Sequence, residues 1–560
     1  MCGIIGLCGN CGSFEEQTRA LKRGLDGVRA RGPYGTDVHV EQGLALGHAH
    51  LPIVKPGKNP QPLREGQDVI TANHEVYNWR ELNEKHGLEA TNDTELLLRL
   101  VKKRGVEGLR EADANFGFFG KINGEYIAAR DKHGLFPLCY AEEGGRVGFA
   151  SERQALTNAG FSYRSLRIVP PGAYAKVRDG KVELKLWADV PSFEELGERK
   201  PMDPADFREI VEQATRARLP EAEGTSPLVV ALGGKDSSTL SYLVSRELGN
   251  RFLGCITVVH DGNPEGGDLP GARTVLGKYR RETGIEIPHH VEVLTTRYAN
   301  ENIDRLLDLL GPSYFNLVCA LPEDLFARKA RDLGAKVVMT AGGPDEALVG
   351  YPWVYEFSER ERNTDSLITQ IGENEYVRNT WVLGRHGVEN RAPYERVLDA
   401  CRRIPESQKY RQGPDGKPQT KLLLKQAIRG LIPDEVVDIE KLPVRTTTGG
   451  GKVFESVMRA DTEYQSVKAQ WEKEVKSTDW APLVYGGSNG GFIGEGALYT
   501  MWRWSKRNPE LYSLGATHFY GDQYNEFKPH ERKDVNARSR MIFANDWMAY
   551  GKADIKGRKI

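Results

Sequence analysis

A charged stretch with three prolines, Pro191–Pro204 (PSFEELGERKPMDP), separates two hydrophobic patterns that belong to different folds. Before it, short apolar runs alternate with Gly, Pro and Asn turns: LALGHAHLPIV, DVITAN, GEYIAAR, RVGFAS and AYAKV. This is the pattern of a β-rich domain, with one helix predicted from Asp93 to about Lys103. After it, the apolar runs PLVVAL (227–232), LGCITVV (253–259) and KVVMTA (336–341) alternate with helical stretches, the first of which ends near Leu248. Continuous apolar strands between helices imply a parallel sheet covered on both faces. Beyond about residue 380 the pattern reads as mainly helical. The expected division is 1–190, 205–510 and a C-terminal extension, 511–560. The last part of that extension mixes Lys and Arg with Trp547 and Tyr550.

Charge balance narrows the function classes. Lys and Arg number 77 against 78 Asp and Glu, so the chain lacks the one-signed field of a nucleic-acid or polybasic membrane binder. No apolar run approaches the ~18 residues of a membrane span. The opening MCGIIGLCGNCG lacks the basic flank and long apolar core of a signal peptide. Seven cysteines in 560 residues form no disulfide framework. A cytoplasmic chain acting on small molecules, without nucleic-acid or membrane partners, is expected.

Cys2 directly follows the initiator Met. With Met1 removed, it carries a thiol and a free α-amine whose ordinary pKa, near ~8, suits it as base for that thiol. The segments around it are MCGIIG (1–6), ARGP (30–33), GHAHLPIV (47–54), QPL (61–63), NHEVYNWREL (73–82), NDTELLL (92–98), ARDKHGLFPLCY (129–140) and FASE (149–152). In this order they resemble the class II, N-terminal nucleophile glutamine amidotransferases. The resemblance implies an αββα sandwich that hydrolyses glutamine through a thioester on Cys2. Asn73 and the backbone N–H of His74 would donate to the oxyanion. Asp93 would hold the glutamine α-ammonium, with Glu75 in the same pocket and His50 where the family places an Arg for the α-carboxylate. His48 or Arg31 could serve in that Arg's place. His74 stands where the family has Gly. Cys8 and Cys11 form a CxxC, which reads as strand and turn or, alternatively, as half of a metal or redox site.

The run PLVVAL followed by LGGKDSS (232–238) is a buried strand entering a Gly turn and a helix, a geometry that presents backbone N–H groups to phosphate. It resembles the SGGxDS pyrophosphate loop of the ATP pyrophosphatases, a Rossmann-like group. TAGGPDEALVGY (340–351), GVENRAPY (387–394), KLLLKQAI (421–428), EKLPVRTTTGGG (440–451) and GALYTMWRW (496–504) continue the likeness into the glutamine-hydrolysing asparagine synthetase family. By that resemblance, Leu232, Gly233, Gly234, Asp236, Ser237, Ser238, Val258, Gly343 and Lys421 would contact ATP or its pyrophosphate. Asp236 and Asp345 would hold Mg²⁺. ATP would adenylate an acceptor carboxylate, releasing pyrophosphate, and ammonia from Cys2 would cross an internal tunnel to displace AMP. A homodimer is compatible with the family.

Several positions depart from the family pattern near the chemistry. Leu232 replaces the first Ser of the phosphate loop, and Gly342 stands where the family has an acidic residue associated with the incoming nitrogen. The family's acceptor segment aligns with Phe315–Ala320 (FNLVCA), where its Arg becomes Val318. Losing a fork-shaped cation from a carboxylate pocket is not conservative. Phe315, Val318 and Cys319 would then make a more apolar pocket. Asparagine synthesis from aspartate is the first expectation, and the same chemistry on another carboxylate is the second. A relative that only binds nucleotide or partners is a third. A ring-closing β-lactam-forming relative is disfavoured by the retained Cys2.

Overall fold

The computed structural model describes residues 1–53, 61–188, 191–222, 224–351, 354, 360–439, 444–478 and 492–513. Lys441, most of the 511–560 extension and Trp547 with Tyr550 lie outside these residues.

The first half contains twelve strands: β1 (Gly3–Gly9), β2 (Thr36–Glu41), β3 (Leu44–Ala49), β4 (Leu63–Glu65), β5 (Asp68–Val76) and β6 (Ala114–Ile122), then β7 (Glu125–Arg130), β8 (Cys139–Glu143), β9 (Arg146–Ala150), β10 (Leu166–Ile168), β11 (Ala173–Arg178) and β12 (Lys181–Leu186). They form two six-stranded antiparallel sheets, ordered β10-β8-β9-β1-β3-β2 and β12-β11-β7-β6-β5-β4. Ile4, Leu44 and Leu46 of one sheet share a core with Val69, Phe119 and Ala128 of the other. The alternate residues Ile5, Leu7 and Ala45 face outward, against Leu21 and Leu25 of the helix Phe14–Asp26. Ile70 and Ala72 likewise pack on Leu97, Leu98 and Val101 of the helix Asp93–Arg104. Period-two alternation thus divides each strand between two cores, and the result is the expected αββα sandwich. The helix Phe14–Asp26 begins at a reciprocal cap: Glu16 N–H donates to Ser13 Oγ at 3.3 Å, and Ser13 N–H donates to Glu16 Oε2 at 2.8 Å.

The second half is built on a five-stranded parallel sheet: β13 (Ser226–Ala231), β14 (Phe252–His260), β15 (His289–Leu294), β16 (Val337–Met339) and β17 (Glu389–Arg391), in the order β15-β14-β13-β16-β17. Leu228 and Val230 point into one core with Leu240, Leu243 and Val275, whereas Val229 points into another with Leu317, Leu321 and Leu325. Both faces are covered, as the apolar runs required. Two features escape the pattern. Beyond residue 380 the chain is not purely helical, because the three-residue β17 completes the sheet and a hairpin pairs Tyr410–Gln412 with Pro418–Thr420. Such strands are too short to show a period.

The halves are joined by buried polar contacts. Asn115 donates to Glu395 Oε2 at 2.7 Å, Thr380 to the Leu135 carbonyl at 2.7 Å, and Arg391 pairs with Glu75 at 2.9 Å. Among the described residues no helix is long and apolar enough to cross a membrane.

Candidate active sites

The N-terminal site forms where β1 opens the first sheet. The Leu51 N–H points at Cys2 Sγ, 3.5 Å away, and the thiol approaches the Leu51 carbonyl at 3.9 Å. Burial pushes the Cys2 thiol up to about 11, opposed by the neighbouring N-terminal ammonium, with Glu389 and Glu75 adding to the rise. Burial also pulls the Met1 amine down to about 5. While Met1 is attached, the nitrogen of Cys2 is an amide and cannot act as its base.

Asn73 is buried on β5, and its side-chain N–H₂ has no hydrogen-bond partner. An orphaned buried donor of this kind is expensive unless something accepts from it, which suits a group that waits for an oxyanion. His74 takes the opposite face of the strand and turns toward the helix Asp93–Arg104. Asn92 caps that helix, accepting from Glu95 N–H at 2.9 Å, and so sets Asp93 in the first turn. His74 Nε2 lies 3.5 Å from Asp93 Oδ2 and 3.1 Å from Thr94 Oγ1. Burial pulls the His74 pKa down, but the Asp93 carboxylate outweighs it and the net shift is upward. Burial pushes the Asp93 pKa up, and His74 outweighs that in turn, leaving it lowered. The side chain at position 74 therefore occupies the carboxylate that the sequence assigns to the glutamine α-ammonium.

The other pocket residues are also engaged. His50 Nε2 meets Asp37 Oδ2 at 2.9 Å. Arg31 is wholly buried, bonded to Glu152 at 3.0 Å and to the Cys2 carbonyl at 3.1 Å. It supports the nucleophile's backbone and leaves no free fork for a substrate carboxylate. His48 is held against Thr71 at 3.2 Å, and burial with the nearby His50 and His74 keeps its pKa well below the usual imidazole value. Glu75 faces the second half, paired with Arg391, which also bonds Glu389 at 2.8 Å. Burial pushes Glu75 up to about 8 against the pull of Arg391. Cys8 is buried, Cys11 partly so, and both are free thiols. Among the described residues no group of three or more His, Cys, Asp or Glu is arranged to hold a metal ion.

The second site is a cavity of about 280 Å³ at the carboxyl ends of β13 and β14, where a parallel sheet places its ligands. Leu232, Gly233, Gly234, Asp236, Ser237, Val258, Asp345 and Lys421 all line it. Gly234 precedes the helix Lys235–Leu248, and the space a Cβ would occupy there is open. Ser237 Oγ accepts from Gly233 N–H at 2.8 Å and donates to the Gly234 carbonyl at 3.0 Å, which shapes the loop. Ser238 and Gly343 sit behind the lining: Ser238 is fully buried against the Gly233 carbonyl, and Gly343, at φ +120°, turns the chain into the helix Pro344–Ala347.

Lys421 joins the two motifs. Its ammonium pairs with Asp236 and, at 2.7 Å, with Asp345. Its backbone adopts φ +54°, uncommon for a residue with a Cβ, and its N–H is tied to the Leu348 carbonyl at 3.0 Å. Asp236 Oδ1 remains buried without a hydrogen-bond partner. Two carboxylates converging on one point, one with an orphaned oxygen, fit a hard divalent cation that takes its remaining ligands from phosphate and water. Gly350, unremarked in the sequence, keeps this space open, since a Cβ there would lie 2.1 Å from Asp345 Oδ1.

Comparison with known proteins agrees with both halves. A glutamine amidotransferase domain model matches residues 1–167, and an asparagine synthase model matches 206–385 and 367–470. Asparagine synthetase [glutamine-hydrolyzing] 2 of Oryza sativa subsp. japonica is 29% identical over 421 residues, covering 70% of this chain and 67% of its own. A probable asparagine synthetase [glutamine-hydrolyzing] of Dictyostelium discoideum is 27% identical over 466 residues, covering 76% and 80%. The chain belongs to the glutamine-hydrolysing asparagine synthetase family. A solved glutamine phosphoribosylpyrophosphate amidotransferase from B. subtilis covers 62% of this chain and 83% of its own at 16% identity, but its TM-score of 0.30 carries no argument.

One expectation drawn from the family alignment needs correcting. The segment Phe315–Ala320 does not line the cavity: Val318 is wholly buried in the core, and the helix Tyr314–Asp332 presents Pro322, Glu323 and Phe326 instead. Residues at i, i+3 and i+4 share a helix face, so a displacement of one turn along the axis keeps the face and changes which side chains reach the cavity. Glu323, Glu375 and Asn379 are cavity residues that the sequence reading missed. No local motif marks them, because they come from two helices distant in sequence.

His74 yields a prediction. Its raised pKa means that the ion pair with Asp93 contributes stability below the ordinary histidine value of 6.5, which is lost as pH rises through the folded value. The same rise neutralises the imidazole and would leave Asp93 to the ammonium that the family resemblance assigns to it. The KM for glutamine is therefore expected to fall with rising pH above 6.5. His74→Gly should lower KM about tenfold at neutral pH, equivalent to ~1.4 kcal/mol, and flatten that dependence. Glutaminase kinetics across the pH range check both, and an unchanged KM in the variant would refute the competition.

Proposed function

We propose that this chain is a glutamine-dependent synthetase that activates a carboxylate with ATP as an acyl-adenylate, releases pyrophosphate, and transfers ammonia to give an amide and AMP. L-Aspartate is the first acceptor, in keeping with the asparagine synthetases that the chain resembles. The observation that carries this reading is Lys421 bridging Asp236 of the phosphate loop and Asp345 of the distant TAGGPDE segment.

In this reading Cys2, freed of Met1, attacks the glutamine amide while Asn73 and the His74 N–H hold the oxyanion. Asp93 receives the α-ammonium of glutamine, and His50 and Glu75 join it only on leaving Asp37 and Arg391. The N–H groups around Gly233 and Gly234, with Ser237, cradle the pyrophosphate, Ser238 supports the loop from behind, and Val258 borders the base. Lys421 neutralises the triphosphate. Asp236 and Asp345 would hold Mg²⁺, which supplies charge neutralisation on the departing pyrophosphate. Leu232 costs the loop one hydroxyl, and a hydrogen bond to a charged group contributes about 1.5–3 kcal/mol. The reading includes the domain limits 1–190 and 205–510 and a cytoplasmic location.

A second acceptor class is favoured by one observation. The cavity beside the phosphate loop carries Glu323, Glu375 and Asn379 with Phe326 and Leu383, a wall that selects against a second carboxylate on the acceptor. The decisive assay measures AMP and pyrophosphate release from Mg-ATP with ammonium, with and without L-aspartate. AMP formed in step with asparagine supports the first reading. Turnover with another carboxylic acid but not aspartate moves the assignment to that acid, and no turnover with any carboxylate defeats the synthetase reading.

A further inference from the structure

Gly342 removes an acidic side chain from the wall of the ATP cavity, yet that place is not empty. A Cβ built on Gly342 would lie 2.7 Å from Glu375 Oε1 and 3.1 Å from the Tyr376 ring. Glu375 begins the helix Glu375–Gly384, and its carboxylate lines the same cavity as Gly234, Asp236 and Lys421. The Tyr376 hydroxyl donates to the Gly342 carbonyl at 3.4 Å, holding that helix start against the glycine.

The neighbouring cations are committed to other carboxylates, and the contact of this one is to Glu346. Arg378, one turn along the same helix, is committed to Glu323, with Nη2 2.9 Å from Oε1 and Nε 3.1 Å from both oxygens. Lys421 is committed to Asp236 and Asp345. Glu346, from the other wall, is fixed by the Tyr351 hydroxyl and hydrogen-bonds Glu375. Glu375 is only partly buried, and its acid oxygen fills the space that a shorter residue at 342 leaves.

Resting on the synthetase reading above, we propose that Glu375 is a catalytic residue: its carboxylate receives the attacking nitrogen and accepts the proton that nitrogen must lose. The nitrogen lone pair forms the new C–N bond at the acyl carbon of the adenylate. The C–O bond to phosphate breaks, and AMP leaves with that electron pair. The excess proton on the nitrogen passes to Glu375 and from there to solvent, so the products are the amide, AMP and one proton. Position 342 and position 375 are thus two routes to one location, and this chain reaches it from the helix.

The test uses the full chain with two partial reactions and two nitrogen nucleophiles. Acceptor-dependent exchange of labelled pyrophosphate into ATP reports adenylation, which precedes any nitrogen. Amide formation is then read with ammonium and with hydroxylamine, a less basic nitrogen whose proton departs to water more readily. Glu375→Gln should keep pyrophosphate exchange within about twofold, lose ammonium-dependent amide by ~10²-fold or more, and lose hydroxamate by less than about tenfold. Gly342→Glu combined with Glu375→Ala should regain at least about tenfold over Glu375→Ala alone, since it returns the acid from the opposite wall. Equal loss with both nucleophiles, or no loss with ammonium, would overturn the assignment. Wild-type protein showing no exchange with L-aspartate or any other carboxylate tested would overturn the synthetase reading and this inference together, before any variant is made.

Discussion

Cys2→Ala is expected to abolish glutamine-dependent amide synthesis while ammonium-dependent synthesis continues at the wild-type rate. In the proposed reaction the thiol forms the thioester, and it is held by the Leu51 N–H at Sγ and by the Arg31 guanidinium on the Cys2 carbonyl. Removing the nucleophile of a catalytic unit typically costs ~10⁴-fold or more, so the loss should be complete in an ordinary assay. Truncation to Ala removes one sulfur from a partly exposed site and leaves the Arg31 contacts to the carbonyl and to Glu152 intact. The fold should therefore survive. A chain that retains Met1 should behave in the same way, because burial holds the thiol near 11 and the free amine belongs to Met1. Glutaminase and ammonia-dependent rates measured side by side, with N-terminal mass analysis, check both statements. Equal loss of the two activities in Cys2→Ala would contradict the division of labour.

The reverse loss is expected of Asp236→Asn. The carboxylate lies at the start of the helix Lys235–Leu248, bound to Lys421 through Oδ2 while Oδ1 stays unpartnered. The amide keeps the shape and removes the charge that a divalent cation requires. Lys421 remains paired with Asp345 at 2.7 Å, so the change does not strand a buried ammonium. Adenylation should fall by ~10²–10³, or about 2.7–4 kcal/mol of transition-state stabilisation, with glutaminase activity within about twofold of wild type. Raising Mg²⁺ should recover part of the loss. Pyrophosphate release and glutamate release from one preparation provide the measurement, and undiminished pyrophosphate release would remove Asp236 from the metal site.

What could be read without the structure depended on whether a signal was local. The αββα sandwich and the parallel sheet were both legible, because apolar alternation and continuous apolar runs reflect one-sided and two-sided burial. Strand β13 and the helix starting at Asp93 lie within a residue or two of the predicted positions, and the helix Lys235–Leu248 ends where expected but begins inside the GGKDSS segment. KVVMTA announced β16, but the three-residue β17 carries too little pattern, although it brings Arg391 to Glu75 and so ties the parallel sheet to the N-terminal half.

The site residues divide in the same way. Cys2, Asn73, Asp93 and the GGKDSS loop announce themselves by position and by neighbours in sequence. That His74 would face Asp93 followed from strand parity combined with the packing of one helix, and composition alone could not supply it. The acceptor wall was misplaced by about one turn, because a loose motif aligned on the sequence does not fix how far along the helix Tyr314–Asp332 the cavity lies. By itself the sequence determined the two folds and marked the candidate nucleophile and phosphate loop, all products of short-range pattern. The tertiary structure decided the Lys421 bridge, the His74–Asp93 pair and the place of Glu375 against Gly342, since each joins groups whose separation in sequence carries no trace of their contact in space.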